Sequence, residues 1–145
     1  MDYTPTFAIS AAGMTLERTR VEVAALNLAN AHTTQGPGQV PYSPLRVVAQ
    51  AAMTGDFAAL MQGDVSAAAL APDFHVEPAN VAPRIVHEPG HPLADAKGFV
   101  TYPGVDPAAE MVALMSATRA YEANVAAMNT ARSMALKALD IGGAS

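Results

Sequence analysis

The chain has no cysteine and no tryptophan among its 145 residues. Without thiols there is no disulfide, no thiolate nucleophile and no cysteine-ligated zinc. Basic residues are scarce too: eight Lys and Arg against thirteen Asp and Glu leave a formal net charge of −5. No basic stripe is therefore available to displace counterions from nucleic acid or to dock on anionic lipid. No run approaches the ~18 apolar residues of a membrane-spanning helix. The opening Met1-Asp2-Tyr3-Thr4-Pro5 lacks a basic stretch followed by an apolar one, so no cleaved secretory signal is expected. By the usual route that implies the cytosol, while an exporter that needs no such signal stays open.

Charge and aromatics are both thin. Charged residues make up 14% of the chain, against about 25% in ordinary soluble domains. Hydrophobic residues nevertheless reach 51%, with aromatics at 6%. A chain of one domain's length, this apolar and this weakly charged, needs other surfaces to cover it.

The apolar residues are organised into two long periodic segments. From about Pro5 to Thr33, Phe7, Ala11, Met14, Val21, Ala25 and Leu28 recur three and four apart, interrupted by Arg18. That spacing predicts a helix of about 40 Å, started by Thr4-Pro5 and stopped by Gly36-Pro37-Gly38. From Pro107 to Asp140, Met111, Leu114, Thr118, Tyr121, Val125, Met128, Arg132, Ala135 and Leu139 repeat the pattern. Asp106 is its expected N-cap and Gly142-Gly143 its expected end. Ile9, Ala12, Leu16 and Val23 lie opposite the first seam, and Val112, Ala120, Ala123, Ala126 and Ala127 back the second. Each helix thus asks for burial on more than one side, which a single antiparallel partner cannot supply.

Between the helices, residues 45–50, 74–78, 83–89 and 98–102 read as short β segments separated by prolines and glycines. Residues 53–72 carry no clear period. One stretch tempts a catalytic reading: His87-Glu88-Pro89-Gly90-His91 matches the H-E-x-x-H pattern, with Glu110 as a conceivable third zinc ligand. That chemistry needs both histidines on one helical face, and Pro89, Gly90 and Pro92 forbid the helix. A tight turn between β segments is expected instead. No serine has a nucleophile-elbow context, no glycine-rich loop cradles phosphate, and His32 and His75 read as solvent or edge residues.

The end of the first helix carries two asparagines, Asn27 and Asn30, and the second carries Asn124. They admit two readings: C-terminal capping, or buried amides that fix the register of packed helices. The surrounding ALNLANAHTTQGPGQVPY, residues 25–42, resembles the N-terminal signature of bacterial flagellar rod and hook proteins. HEPGHPLADAKGFVTYPGVDPAAEM, residues 87–111, and SATRAYEANVAAMNTARSMALKAL, residues 116–139, are similar to the proximal-rod members of that family. The resemblance implies a subunit exported by the flagellar type III apparatus without a cleaved signal. It would assemble in the periplasmic part of the basal body, with copies of itself, neighbouring rod subunits and the export-gate base, into a torque-transmitting tube.

The fold expected is mainly α. Two long terminal helices, in residues 1–35 and 106–145, would form an antiparallel coiled-coil-like hairpin flanking a small β-rich middle, 36–105, with an irregular insert at 53–72. The candidate assembly interface comprises Phe7, Met14, Val21, Asn27, Leu28 and Asn30 on the first helix. On the second it comprises Met111, Leu114, Tyr121, Asn124, Val125, Met128 and Leu139. No catalytic residue, cofactor, metal or nucleic-acid partner is expected. The competing readings are a zinc peptidase through His87, Glu88 and His91, and a cytosolic helical adaptor.

Overall fold

The computed structural model describes residues 4–36, 38–50 and 72–142. The Pro37 stop signal, the Gly143 end signal and residues 53–71 of the expected insert lie outside the described residues. In chain order the elements are α1 (Thr4–Asn30), β1 (Leu45–Gln50), β2 (Asp73–Pro78), β3 (Arg84–His87), β4 (Phe99–Tyr102) and α2 (Pro107–Gly142).

Local chemistry sets the element ends. The α1 ladder closes with a tightened turn, in which the Ala31 N–H donates to the Leu28 carbonyl at 3.2 Å and the Thr33 N–H to the Asn30 carbonyl at 3.1 Å. At the start of α2, Pro107 gives up only a donor that a helix would leave unused, and Asp106 Oδ1 accepts the Ala108 N–H at 3.0 Å. Pro83 and the Glu88-Pro89 pair confine β3 to four residues.

The strands form two separate two-stranded sheets, β1 with β2 and β3 with β4. The second is antiparallel, pairing Arg84 with Tyr102, Ile85 with Thr101, Val86 with Val100 and His87 with Phe99. Alternation puts Val86 and Val100 on one face, where Val100 is fully buried, and leaves Ile85 and Phe99 exposed on the other. The chain divides into two compact units: the described parts of Met1–Thr19, Val48–His75 and Ser116–Ser145, and those of Arg20–Val47 and Val76–Met115.

The expected fold class is overturned. Four strands in two sheets accompany the two helices, which form no clear coiled-coil hairpin: their most buried positions carry small or polar side chains. On α1 and the residue after it, the buried positions are Ser10, Glu17, Ala24 and Ala31, spaced by seven, together with Asn27. On α2, Ala117 and Ala131 are buried, while Met111, Tyr121 and Leu139 are exposed. The expected stripe of α2 is only partly covered: Leu114, Val125, Met128 and Ala135 are half-buried, as are Glu110, Ala120 and Asn124, whereas Met111, Thr118, Tyr121, Arg132 and Leu139 are exposed. A coiled coil needs large apolar knobs buried in its seam, whereas here the covered side chains are small or polar and the large ones are half-buried or exposed.

Candidate assembly interface

In the unit formed by residues 20–47 and 76–115, the most interior side chains include a polar one. Val100, Pro103 and Asn27 are the largest fully buried side chains among the described residues, and Asn27 is 1% exposed. Such an amide is tolerated only if its two donors and its acceptor oxygen are met. They are. Asn27 Nδ2 donates to the Leu45 carbonyl at 2.8 Å and to Glu110 Oε1 at 3.0 Å. Asn27 Oδ1 accepts from the Tyr42 hydroxyl at 2.8 Å and from the Leu45 N–H at 2.9 Å. One side chain in the last turn of α1 thereby ties down the segment entering β1 and the first turn of α2. Burial, and next the Glu110 carboxylate, push the Tyr42 phenol above its ordinary value, which keeps it a neutral donor.

Asn30, three residues on, behaves differently. Its Nδ2 donates back to the Leu26 carbonyl at 2.8 Å, and its own carbonyl accepts the Thr33 hydroxyl at 2.8 Å. That geometry serves the helix end itself.

Residues 87–91 form the end of β3 and a turn. The His87 ring meets Phe99 edge-on at 5.0 Å, and Glu88 Oε2 accepts the Tyr102 hydroxyl at 2.9 Å. His91 Nδ1 accepts the Leu93 N–H at 3.1 Å. Each of the three residues of the peptidase pattern is thus engaged with a different neighbour. The hydrogen bond to Glu88 is the main cause that raises the Tyr102 pKa, followed by burial. Further along the loop, Asp95 Oδ1 accepts the Lys97 and Phe99 N–H groups at 2.8 and 2.9 Å. These bonds, the one from Phe99 foremost, hold the Asp95 carboxyl below its ordinary value. A recess lined by Gln35, Leu93, Asp95 and Phe99 adjoins this loop, but its carboxylate is already committed to backbone donors.

The other unit contains the closest approach of a glycine to a predicted interface residue. A Cβ built on Gly13 would stand 2.9 Å from both Nδ2 and Oδ1 of Asn124. Asn124 Nδ2 donates to the Ala120 carbonyl of its own helix at 3.1 Å. Of the remaining predicted residues, Phe7, Met14, Val21, Leu28, Leu114, Val125 and Met128 are half-buried, and Met111, Tyr121 and Leu139 are exposed. Val112 and Met115, absent from the predicted set, are exposed beside Met111, at 61% and 54%. Tyr42, Glu110 and Gly13 were not singled out for this site either. Ser10, Glu17, Ala24 and Ala31, each three residues after Phe7, Met14, Val21 and Leu28, are the buried positions on the same face of α1 and the residue after it that the predicted set left out.

The described residues contain no helix long and apolar enough to cross a membrane, and no group of three or more His, Asp or Glu placed to hold a metal ion. What stands out is a chain whose polar groups serve its own architecture while large apolar side chains of its terminal helices remain uncovered. Residues 96–141 match the family model described as flagellar basal body rod FlgEFG protein, C-terminal. The chain is 44% identical to the flagellar basal-body rod protein FlgC of Escherichia coli O6:H1, with 94% of this chain and 95% of the relative covered. It is 40% identical to that of Salmonella typhimurium, with the same shares of 94% and 95%. With the FlgC of Bacillus subtilis the identity is 37%, over 92% of this chain and 94% of the relative. Identity at this level along almost the whole length shows that the chain belongs to the flagellar basal-body rod protein FlgC family.

Proposed function

We propose that this structural, non-enzymatic subunit of the flagellar basal-body rod joins the proximal rod through its two terminal helices. The regions 1–35 and 106–145 would form the rod core, and 36–105 a separate middle domain. Its partners are other copies of itself, neighbouring rod subunits and the basal-body and export-gate components on which the rod is built. The chain would reach the periplasm through the flagellar type III apparatus without a cleaved signal, and the assembled tube would transmit torque around a channel for later exports. One observation carries this reading: Met111, Val112, Met115, Tyr121 and Leu139 of α2 are all exposed, Leu139 at 71%. A helix of one domain leaves so many large apolar groups in water only when another surface covers them.

The test places a carboxylate on that face. Tyr121→Glu and Leu139→Glu should abolish swimming and remove the subunit from purified basal bodies, because an unpaired carboxylate in a packed interface costs several kcal/mol, roughly. Secretion of the subunit, followed by immunoblot, should persist. Glu122→Ala is the neutral control. Normal swimming in both acidic variants would remove the helices from the interface.

A further inference from the structure

We infer that Asn27 is a conditional latch, whose bonds to the β1 entry hold only when the first turn of α2 is also in place. The partners it joins are far apart in the chain: Tyr42 lies 15 residues away, Leu45 18 and Glu110 83. A buried carboxamide has few tolerable states, because a half-met amide in a dry site is worse than an exposed one. With Glu110 absent, one Nδ2 hydrogen points at nothing. The amide then gains by swinging toward water, and doing so it releases the Tyr42 hydroxyl and the Leu45 N–H together.

The consequence is an order of events. Residues 27, 42 and 45 can all be present and still lack a stable arrangement until residue 110 arrives. A chain emerging from its N-terminus therefore keeps the α1 end and the β1 entry open until its C-terminal third is available. Local contacts alone would let that part close early. The device rests on the geometry around Asn27 and holds for the chain by itself, whatever the helices later assemble with.

The full-length protein supplies the readout, since the Leu45 N–H donates to Asn27 Oδ1 and its hydrogen exchange reports that bond. Glu110→Ala removes a different arm of the latch, yet it should speed Leu45 exchange by roughly tenfold or more. Glu110→Gln keeps an Oε1 acceptor and loses only the charge, so Leu45 exchange should stay near that of the unaltered chain. Tyr42→Phe should act like Glu110→Ala, and the two together should do little more than the stronger alone. Unchanged Leu45 exchange in Glu110→Ala, or multiplicative effects in the double variant, would show independent bonds and overturn the latch. Equal damage from Glu110→Gln and Glu110→Ala would overturn it as well, by assigning the effect to charge at the α2 start.

Discussion

Asn27 and Asn124 are the same residue type on two long helices of one chain, and they do opposite things. In its unit Asn27 is closed off from water and spends every donor and acceptor on other segments. In the other unit Asn124 bonds its own helix and is placed by shape, its amide set where Gly13 has no side chain. The first is a contact specified by hydrogen bonding, which punishes loss of the polar group. The second is specified by space, which punishes gain of a carbon. Two kinds of specificity let helices pack without the large apolar knobs that would otherwise be used up inside the subunit.

The largest expected effect lies at the hydrogen-bonded site. Asn27→Leu has similar volume but strands the Tyr42 hydroxyl, the Leu45 amide groups and Glu110, so stability should fall by about 3–5 kcal/mol. Urea unfolding followed by circular dichroism measures it. A loss under about 1 kcal/mol would mean that water replaces the amide at little cost. Gly13→Val comes next. A Cβ and two methyl groups must enter where the Cβ alone would stand 2.9 Å from the Asn124 amide, and overpacking of this kind costs about 1–3 kcal/mol, less a part returned by removing a helical glycine. Asn124→Ala in the same chain should recover most of that loss, whereas no second substitution at 124 should rescue Asn27→Leu. That crossed result is what separates contact by shape from contact by bonding.

Smaller effects belong to the loop between β3 and β4. Gly98 has φ +80°, and a Cβ there would stand 3.0 Å from the Pro89 Cβ. Gly98→Ala should therefore cost about 1–3 kcal/mol, read as a lowered urea midpoint. The same loop gives an acid dependence. The folded-state pKa of Asp95 lies below its ordinary 3.8, so its contribution is present above that value and fades as pH falls through the lower folded one. Stability measured as pH falls from about 5 should drop less steeply in Asp95→Asn.

The elements were legible because each rests on local chemistry: Asp106-Pro107 starts α2, prolines bound β3, and the three-four spacing runs the length of both helices. The coiled-coil-like hairpin failed because hydrophobic periodicity was taken to mark the covered face. In this chain the large seam residues of α1, Phe7, Met14, Val21 and Leu28, are only half-buried, and the covered positions are Ser10, Glu17, Ala24 and Ala31, small or polar residues to which hydropathy gives little weight. The asparagines could be recognised as special, but the partners of Asn27 could not. Tyr42 and Glu110 come to it through the fold, at sequence separations that no local pattern encodes. The H-E-x-x-H match was resolved by the opposite route, since Pro89 and Gly90 state locally what the backbone can do.

The smallest expected effect sharpens the comparison from within one unit. Arg46 and Glu77 form a charged pair, through Arg46 Nε at 2.9 Å to Glu77 Oε1, with side chains 62% and 35% exposed. It joins β1 to β2 one residue beyond Leu45, where Asn27 makes its neutral bonds. Full charges would suggest the stronger tie, but water screens this pair and two long side chains lose freedom in making it. Arg46→Ala should cost less than about 1 kcal/mol, and the difference should shrink further in 0.5 M salt, roughly one Debye length of 4 Å. Asn27→Leu should show no such salt dependence, because its bonds are neutral on three of four arms and closed to solvent. If Arg46→Ala proved the more damaging of the two, the exposed ion pair rather than the buried amide would anchor the β1 entry.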